Sequence, residues 1–361
     1  MSFILKKPHT TGSIAFSPIF CAPGALGFFR EGYPWHRVAK LLGMTFEGTS
    51  FVAKTATLHP LVGNMPLKKD GLTPKEIKPK CIEVYPRSGH VLNAVGLSNM
   101  GFWKMFFDGR WQAMREPFML SFMPKGNTVE EKVAECQGLV HDFLYQYYQR
   151  PYGRFSADFA WQVNFACPNT GTDPACFIAE VPDVLKAFQP LRLAGIPIVA
   201  NFNALVPLKA LLDAEDLCDA YWIANTIPWG TPGIDWTKFT SVFEDGKPVS
   251  PLRGRGIPAD GGLSGPDCFH FTLAKLEEAV KAKVRLPIIA GNGLQEPDQV
   301  NLLRAAGASA IAIGSVALVR PWRTGAIIAR AHEVFGNQAG SKRKTPLGGK
   351  ISGAANQFPS Y

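Results

Sequence analysis

The chain has 361 residues, of which 46% are hydrophobic and 19% charged, a balance that excludes wholesale disorder and allows a large core without disulfides or metals. Its 38 basic and 29 acidic residues give a formal charge of +9, but no nucleic-acid-reading motif is present, so nucleic-acid binding is not expected. Because the sequence has neither a signal peptide nor an apolar stretch of roughly 18 residues, it predicts a cytoplasmic protein without membrane insertion.

Eight short, nearly continuous apolar runs predict strands that are covered on both faces, as in a parallel sheet. In chain order they span residues 17–23, 50–55, 117–123, 159–165, 196–202, 220–226, 286–291 and 310–314. Helical patterns separate most of these runs. A capping box, Thr128 with Glu131, predicts a helix over 129–148. Two further patterns predict helices over 297–306, ending at Gly307, and over 323–335, ending at Gly336.

The alternation of strands and helices predicts an α/β fold, a (β/α)8 TIM barrel with long inserts at the C-terminal face. An open doubly wound sheet is disfavoured, because no G-x-G-x-x-G turn follows an early strand. The Pro- and Gly-rich residues 58–116 and 227–266 are too long for simple connections and are interpreted as inserted loops or a subdomain. Residues 336–361 are interpreted as a basic tail, and 1–361 as a single barrel domain.

Seven cysteines are scattered along the chain, and none forms a C-x-x-C pair. The spacing therefore predicts no structural zinc, no self-contained iron–sulfur cluster and no other metal site.

Polar residues and glycines follow the predicted strands. Each one alone is best explained as a turn former, but five carboxamides at one barrel mouth favour the binding of a planar heterocycle. Glycines permit close backbone approach to a phosphate after strands seven and eight, so these turns predict a phosphate on a substrate or on a cofactor such as FMN. The strand-end residues are Lys54, Asn164, Cys167, Asn169, Asn201, Asn225, Thr226, Gly291, Asn292, Gly293, Gly314 and Ser315.

Six motifs in this order resemble the dihydroorotate dehydrogenase family: residues 54–57, 93–99, 164–170, 225–227, 261–265 and 307–315. The resemblance covers residues 13 to 335. It implies an FMN-containing barrel that oxidises dihydroorotate to orotate in pyrimidine biosynthesis. It also implies a possible homodimer. The electron acceptor is left open, and an iron–sulfur route would require an electron-transfer partner protein.

The resemblance implies roles for individual residues. Cys167 matches the catalytic base of the soluble class, and Lys54 matches a lysine close to both flavin and substrate. The substrate-binding positions are Asn93, Gly96, Leu97, Asn164, Asn169, Asn225 and Thr226. The FMN-binding positions are Ala22, Gly24, Lys54, Thr55, Asn164, Asn201, Gly262, Gly291, Asn292, Gly293, Gly314 and Ser315.

The chemistry is consistent with these roles, since oxidising a C5–C6 bond sends a hydride to flavin N5 and a proton to a base. A thiol has an unperturbed pKa of about 8.5, so Cys167 would need an electropositive neighbour such as Lys54. One residue departs from the family: Asn201 stands where strand five usually ends in a lysine. Two alternatives therefore stay open. One is a divergent flavin-dependent dehydrogenase or reductase of another dihydropyrimidine or cyclic amide, and the other is a non-catalytic flavin- or phosphate-binding barrel.

Overall fold

The structure is a computed structural model that describes residues 2–165 and 178–336. Its strands, numbered in chain order, are β1 Phe3–Lys6, β2 Ser13–Phe16, β3 Ile19–Cys21, β4 Phe51–Val52, β5 Ile82–Tyr85, β6 His90–Asn93, β7 Phe118–Phe122, β8 Phe159–Asn164, β9 Ile198–Asn203, β10 Ala220–Asn225, β11 Ile227–Pro228, β12 Phe243–Glu244, β13 Lys247–Pro248, β14 Gly262–Ser264, β15 Ile288–Ala290 and β16 Ala310–Ile313. The helices are α1 His36–Leu41, α2 Phe102–Phe106, α3 Val129–Gln149, α4 Val181–Ala187, α5 Gln189–Leu193, α6 Leu208–Ala214, α7 Phe269–Lys281, α8 Gln299–Ala305, α9 Val316–Val319 and α10 Thr324–Gly336.

Eight parallel strands form the barrel, in the order β3-β16-β15-β10-β9-β8-β7-β4. A parallel bridge between Phe20 and Ser50 brings the two ends of this sheet together. All eight predicted strands and the three predicted helices are present, so the predicted (β/α)8 fold class is confirmed. Thr128 caps α3 by accepting a hydrogen bond from the Glu131 N–H at 3.2 Å, while the Glu131 carboxylate accepts from Asn127 N at 2.7 Å.

An N-terminal hairpin closes the bottom of the barrel. Strands β1 and β2 pair in antiparallel register, and their apolar side chains join the buried cluster inside the barrel. A column of aromatic rings rises from this hairpin: Phe20 lies 5.8 Å from Phe3, 5.5 Å from Phe16 and 5.7 Å from Trp222 between ring centroids. The lower interior is therefore a packed core, and any site must lie above it.

The two long inserts join above the barrel. Strands β5 and β6 come from residues 58–116, and β11 and β14 from residues 227–266. They form one antiparallel sheet in the order β11-β14-β6-β5, in which Gly262 pairs with Asn93. The inserts thus build a single wall beside the barrel mouth. Within the ranges described, no helix has the length and apolar character needed to cross a membrane.

Candidate functional site

A cavity of about 270 Å³ opens at the C-terminal end of the barrel. Residues at the ends of seven barrel strands line its floor, and β5, β6 and β14 of the insert sheet contribute to its wall. The active sites of barrels of this type lie at this end, because the strand-end loops differ while the strands hold them in place.

The side chains at the ends of the barrel strands divide the cavity floor into a polar half and an apolar half. On one half, strand ends β4, β8 and β9 present polar side chains: Lys54, Asn164 and Asn201. On the other half, β10, β16 and the end of β3 present Trp222 and small apolar residues, namely Ala22, Ala224 and Ala312. A flat ligand with one polar end and one apolar end fits such a floor.

A chain of hydrogen bonds connects the polar half to the ends of β10 and β15. Asn225 Nδ2 donates to Asn164 Oδ1 at 3.2 Å, and Asn164 Nδ2 donates to Thr55 Oγ1 at 3.2 Å. The Thr226 N–H donates to Asn225 Oδ1 at 2.8 Å, and Asn292 Nδ2 donates to the Asn225 carbonyl at 3.0 Å. The structure therefore brings four of the predicted strand-end residues and Thr55 into one network, drawn from the ends of β4, β8 and β10 and the turn after β15.

Lys54 supplies the positive charge of the cavity. Its side chain is 7% exposed, and Nζ donates a hydrogen bond to the Ser98 carbonyl while lying 4.8 Å from the centroid of the Phe28 ring. Among the described residues that line the cavity, Lys54 is the only lysine or arginine. This lysine is where the sequence placed it, at the end of the second barrel strand.

The loop after β6 forms another part of the wall. Asn93, Gly96 and Leu97 all line the cavity. Gly96 and Leu97 both have positive φ, +69° and +61°, which is a strained conformation for leucine. The Asn64 amide donates to the Ala94 carbonyl at 2.7 Å and so ties this loop to the preceding insert segment.

The turns predicted to bind phosphate follow β15 and β16. Asn292, Gly293, Gly314 and Ser315 line the cavity, and the Ser315 side chain makes no capping bond to α9. A Cβ at position 293 would lie 2.6 Å from the backbone nitrogen of Phe269, so glycine is required there. The chain thus passes close to the start of α7 with no side chain between.

Of the other residues predicted to bind FMN, some line the cavity and some do not. Ala22, Gly24 and Thr55 line the cavity, whereas Gly262 and Gly291 do not. A Cβ at position 291 would lie 2.6 Å from the Ala312 carbonyl oxygen, so this glycine allows close packing of neighbouring strands. Cys167 and Asn169 lie outside the described residues.

The loop after β3 adds residues that the sequence analysis missed. Tyr33, Trp35 and His36 line the cavity, and the rings of Tyr33 and Trp35 stack with centroids 4.6 Å apart. Burial, assisted by the charge of Lys40, lowers the pKa of His36 to about 4, and its Nδ1 accepts from the Tyr33 N–H at 3.4 Å. The sequence signal that could have found these residues is a pair of aromatic residues and a histidine in the long segment after the first barrel strand.

The chain is similar in sequence to known proteins over most of its length. No family model matches the chain. It is 27% identical over 337 residues to the "Dihydroorotate dehydrogenase B (NAD(+)), catalytic subunit" of Desulforudis audaxviator, covering 89% of this chain and 90% of that protein. The protein of the same name from Geobacter metallireducens is 24% identical over 359 residues, covering 95% and 99%. The chain is thus similar, at low identity over most of its length, to proteins named dihydroorotate dehydrogenase.

Solved structures agree on the fold. DHODH from Eimeria tenella in complex with ferulenol has a TM-score of 0.59 and 16% identity, covering 90% of this chain and 82% of that one. The ligand-free form from the same organism has a TM-score of 0.59 and 15% identity, covering 90% and 85%. The resemblance predicted from the six motifs is therefore confirmed, and the identities of 24% and 27% agree with a divergent sequence.

FMN, the cofactor that the resemblance implies, would fit the groups that line this cavity. The polar half of the floor suits the pyrimidine end of an isoalloxazine, and the alanine half suits its apolar end. The glycine turns leave backbone room for a phosphate. In addition, Asn201 keeps a buried amide oxygen without a hydrogen-bond partner among the described residues, as expected of an atom that contacts a ligand.

Proposed function

We propose that the protein is an FMN-dependent oxidoreductase that oxidises dihydroorotate to orotate. The observation that supports this most directly is the cavity floor, with Lys54, Asn164 and Asn201 at the ends of β4, β8 and β9, alanines at the ends of β3, β10 and β16, and two glycine turns beside them. The family relationship supports the same reaction, because the relatives carry the name dihydroorotate dehydrogenase. Bound FMN would supply a two-electron acceptor for the hydride.

Specific side chains of the chain would bind and orient the substrate. Asn164 and Asn225 offer amide groups to the ring, and Asn93, with the loop that includes Leu97, forms the facing wall. Lys54 contributes a cation near the carboxylate and the flavin. In this proposal the Cys167 thiolate accepts the C5 proton while the hydride leaves C6, so dihydroorotate loses two electrons and two hydrogens.

The electrons would leave through a second protein. Two of the relatives described above are named as catalytic subunits of an NAD(+) enzyme, which supports an electron-transfer partner for this chain as well. Within residues 2–165 and 178–336, no group of three or more metal-ligating side chains is present. A homodimer stays a prediction.

An anaerobic titration tests the function. Purified protein loaded with FMN should be yellow, and stoichiometric dihydroorotate should bleach the flavin absorption. If another dihydropyrimidine bleaches it and dihydroorotate does not, the substrate assignment is wrong and the Asn201 departure becomes its explanation. If no dihydropyrimidine bleaches a flavin that is bound, the chain is a binding protein and the enzymatic proposal fails.

A further inference from the structure

Asn201, near the end of β9, has a buried amide oxygen whose role the proposed function does not explain. Asn201 is 1% exposed and lines the cavity floor. Its Nδ2 donates to Gln162 Oε1 at 3.2 Å, while its Oδ1 has no hydrogen-bond partner among the described residues. A buried acceptor without a donor is costly, so a ligand N–H at this point would stabilise the protein.

The hydrogen bonds beneath the Asn201 amide determine which atom is the donor and which is the acceptor in each pair. Thr55 Oγ1 accepts from Asn164 Nδ2 and lies 2.9 Å from Ser121 Oγ, and Ser121 Oγ donates to Gln162 Oε1 at 2.9 Å. Since each hydroxyl has one proton and Ser121 uses its own toward Gln162, the Thr55 proton must point toward Ser121. Gln162 Oε1 therefore receives two donors, from Ser121 and from Asn201.

The present orientation leaves Gln162 Nε2 and Asn201 Oδ1 without partners among the described residues, and the opposite orientation would leave Gln162 Oε1 and Asn201 Nδ2 without them instead. The opposite orientation adds a further cost at Thr55. If both amides turned by half a rotation, Gln162 Nε2 would donate to Ser121, and Ser121 would have to donate to Thr55. Thr55 already accepts from Asn164, so its own proton would lose the acceptor that it now has. Gln162 is fully buried and Ser121 is 3% exposed, so water does not compensate readily.

We propose that Gln162 and Ser121 are positioning residues that hold the Asn201 amide as an uncharged hydrogen-bond acceptor toward the pyrimidine end of the bound flavin. This inference rests on the proposed function. A hydride brings two electrons and one proton to N5, and a second proton, taken from water, converts the anionic reduced flavin into the neutral form with an N1–H. An acceptor at this contact favours the N–H form, whereas a cation would favour the anion.

The test is the pH dependence of the flavin midpoint potential, measured by dithionite titration of the full-length, FMN-loaded protein against reference dyes. The slope of the midpoint potential against pH changes at the pKa of N1 in the reduced flavin. Asn201→Lys should lower that pKa by about one unit or more, because it places a cation at the contact. Gln162→Met should lower it by less, because a released Asn201 amide can turn its Nδ2 toward the anion.

Two further variants separate positioning from general damage. Gln162→Glu keeps an oxygen acceptor for the Asn201 amide and should not lower the pKa of the reduced flavin. Trp161→Phe is the matched control: it is the neighbouring residue on β8, its Nε1 is also buried without a partner, and its ring lies in the outer core between the barrel and the helices. It should leave the slope change at its wild-type pH.

The result that overturns the inference is a Gln162→Met protein whose slope change matches wild type while Asn201→Lys moves it. If neither variant moves it, Asn201 does not contact the flavin and the inference is likewise wrong. The titration needs no substrate. If dihydroorotate bleaches the flavin but the Gln162→Met substitution leaves the pKa of the reduced flavin unchanged, only this inference is contradicted. A protein that binds no FMN contradicts the proposed function as well.

Discussion

Lys54 has its ammonium fixed by contacts from separate segments of the chain. Nζ reaches the Ser98 carbonyl from the first insert and lies over the Phe28 ring from the loop after β3. The Lys54 backbone N–H donates to the Gly27 carbonyl at 2.9 Å. Fixing a long flexible side chain costs conformational entropy during folding rather than during binding. The charge is therefore in place before a ligand arrives.

Cys167 carries the sharpest prediction at the scale of single residues. If its thiolate accepts the substrate proton, Cys167→Ala should slow flavin reduction by dihydroorotate by roughly 10²-fold or more, as measured by anaerobic stopped-flow absorbance. Cys167→Ser should retain partial activity with its pH profile moved upward, because a hydroxyl is a weaker acid than a thiol. FMN content should match wild type in both variants. An unchanged rate in the alanine variant would remove the thiol from the reaction.

The candidate site residues at the strand ends could be predicted from the sequence, whereas the polar residues deeper within the barrel strands could not. Lys54, Asn164 and Asn225 lie near the ends of their apolar runs, and the carboxyl ends of parallel strands meet at one barrel opening. Ser121 and Gln162 lie inside such runs, in 117–123 and 159–165. Whether a strand residue faces the barrel interior or the helices depends on the register of the closed sheet, which no single run contains.

At the scale of elements, the insert sheet depends on glycines that allow its strands to approach closely. Gly261 has φ +89°, and a Cβ there would lie 2.8 Å from the carbonyl oxygen of Asn93. The sequence predicted two inserts by their length and composition. It did not predict that they pair, because β6 and β14 are separated by more than 160 residues and short strands carry little pairing information.

Gly261→Ala should therefore disturb the wall beside the cavity. A left-handed conformation costs alanine about 1 to 2 kcal/mol, and the contact with Asn93 adds to that cost. We expect a lower free energy of unfolding in urea and weaker binding of dihydroorotate, because Asn93 is displaced. The control is Gly254→Ala, where a Cβ meets no atom within 4 Å and φ is not positive. Equal effects of the two substitutions would show that the close contact is unimportant.

At the scale of the whole molecule, the barrel was predictable because its strands are covered on both faces. The interior cluster and the outer cluster between strands and helices both contain residues from the same apolar runs, which is why those runs are nearly continuous. The N-terminal hairpin was not predicted, although its strands show alternating burial. Two four-residue strands are too short to be recognised without the barrel bottom that they cover.

The acid stability of the whole molecule should depend on His36, which lies in the cavity wall and is 6% exposed. Burial, with Lys40 as the smaller cause, lowers its pKa from 6.5 to about 4. Between these values the unfolded chain binds a proton that the folded chain does not, so the free energy of unfolding falls as the pH decreases from about 6.5 to about 4. The loss from this one group is about 3 kcal/mol at the lower limit.

His36→Gln should remove this part of the pH dependence, because glutamine does not titrate. The measurement is urea unfolding at a series of pH values from 4 to 7, comparing the slope of the free energy of unfolding with pH. His141→Gln is the control, since the His141 side chain is 83% exposed and its removal should leave the slope unchanged. If His36→Gln keeps the wild-type slope, the buried imidazole does not determine stability in acid. The dependence would then come from the carboxylates that acid protonates in the same range.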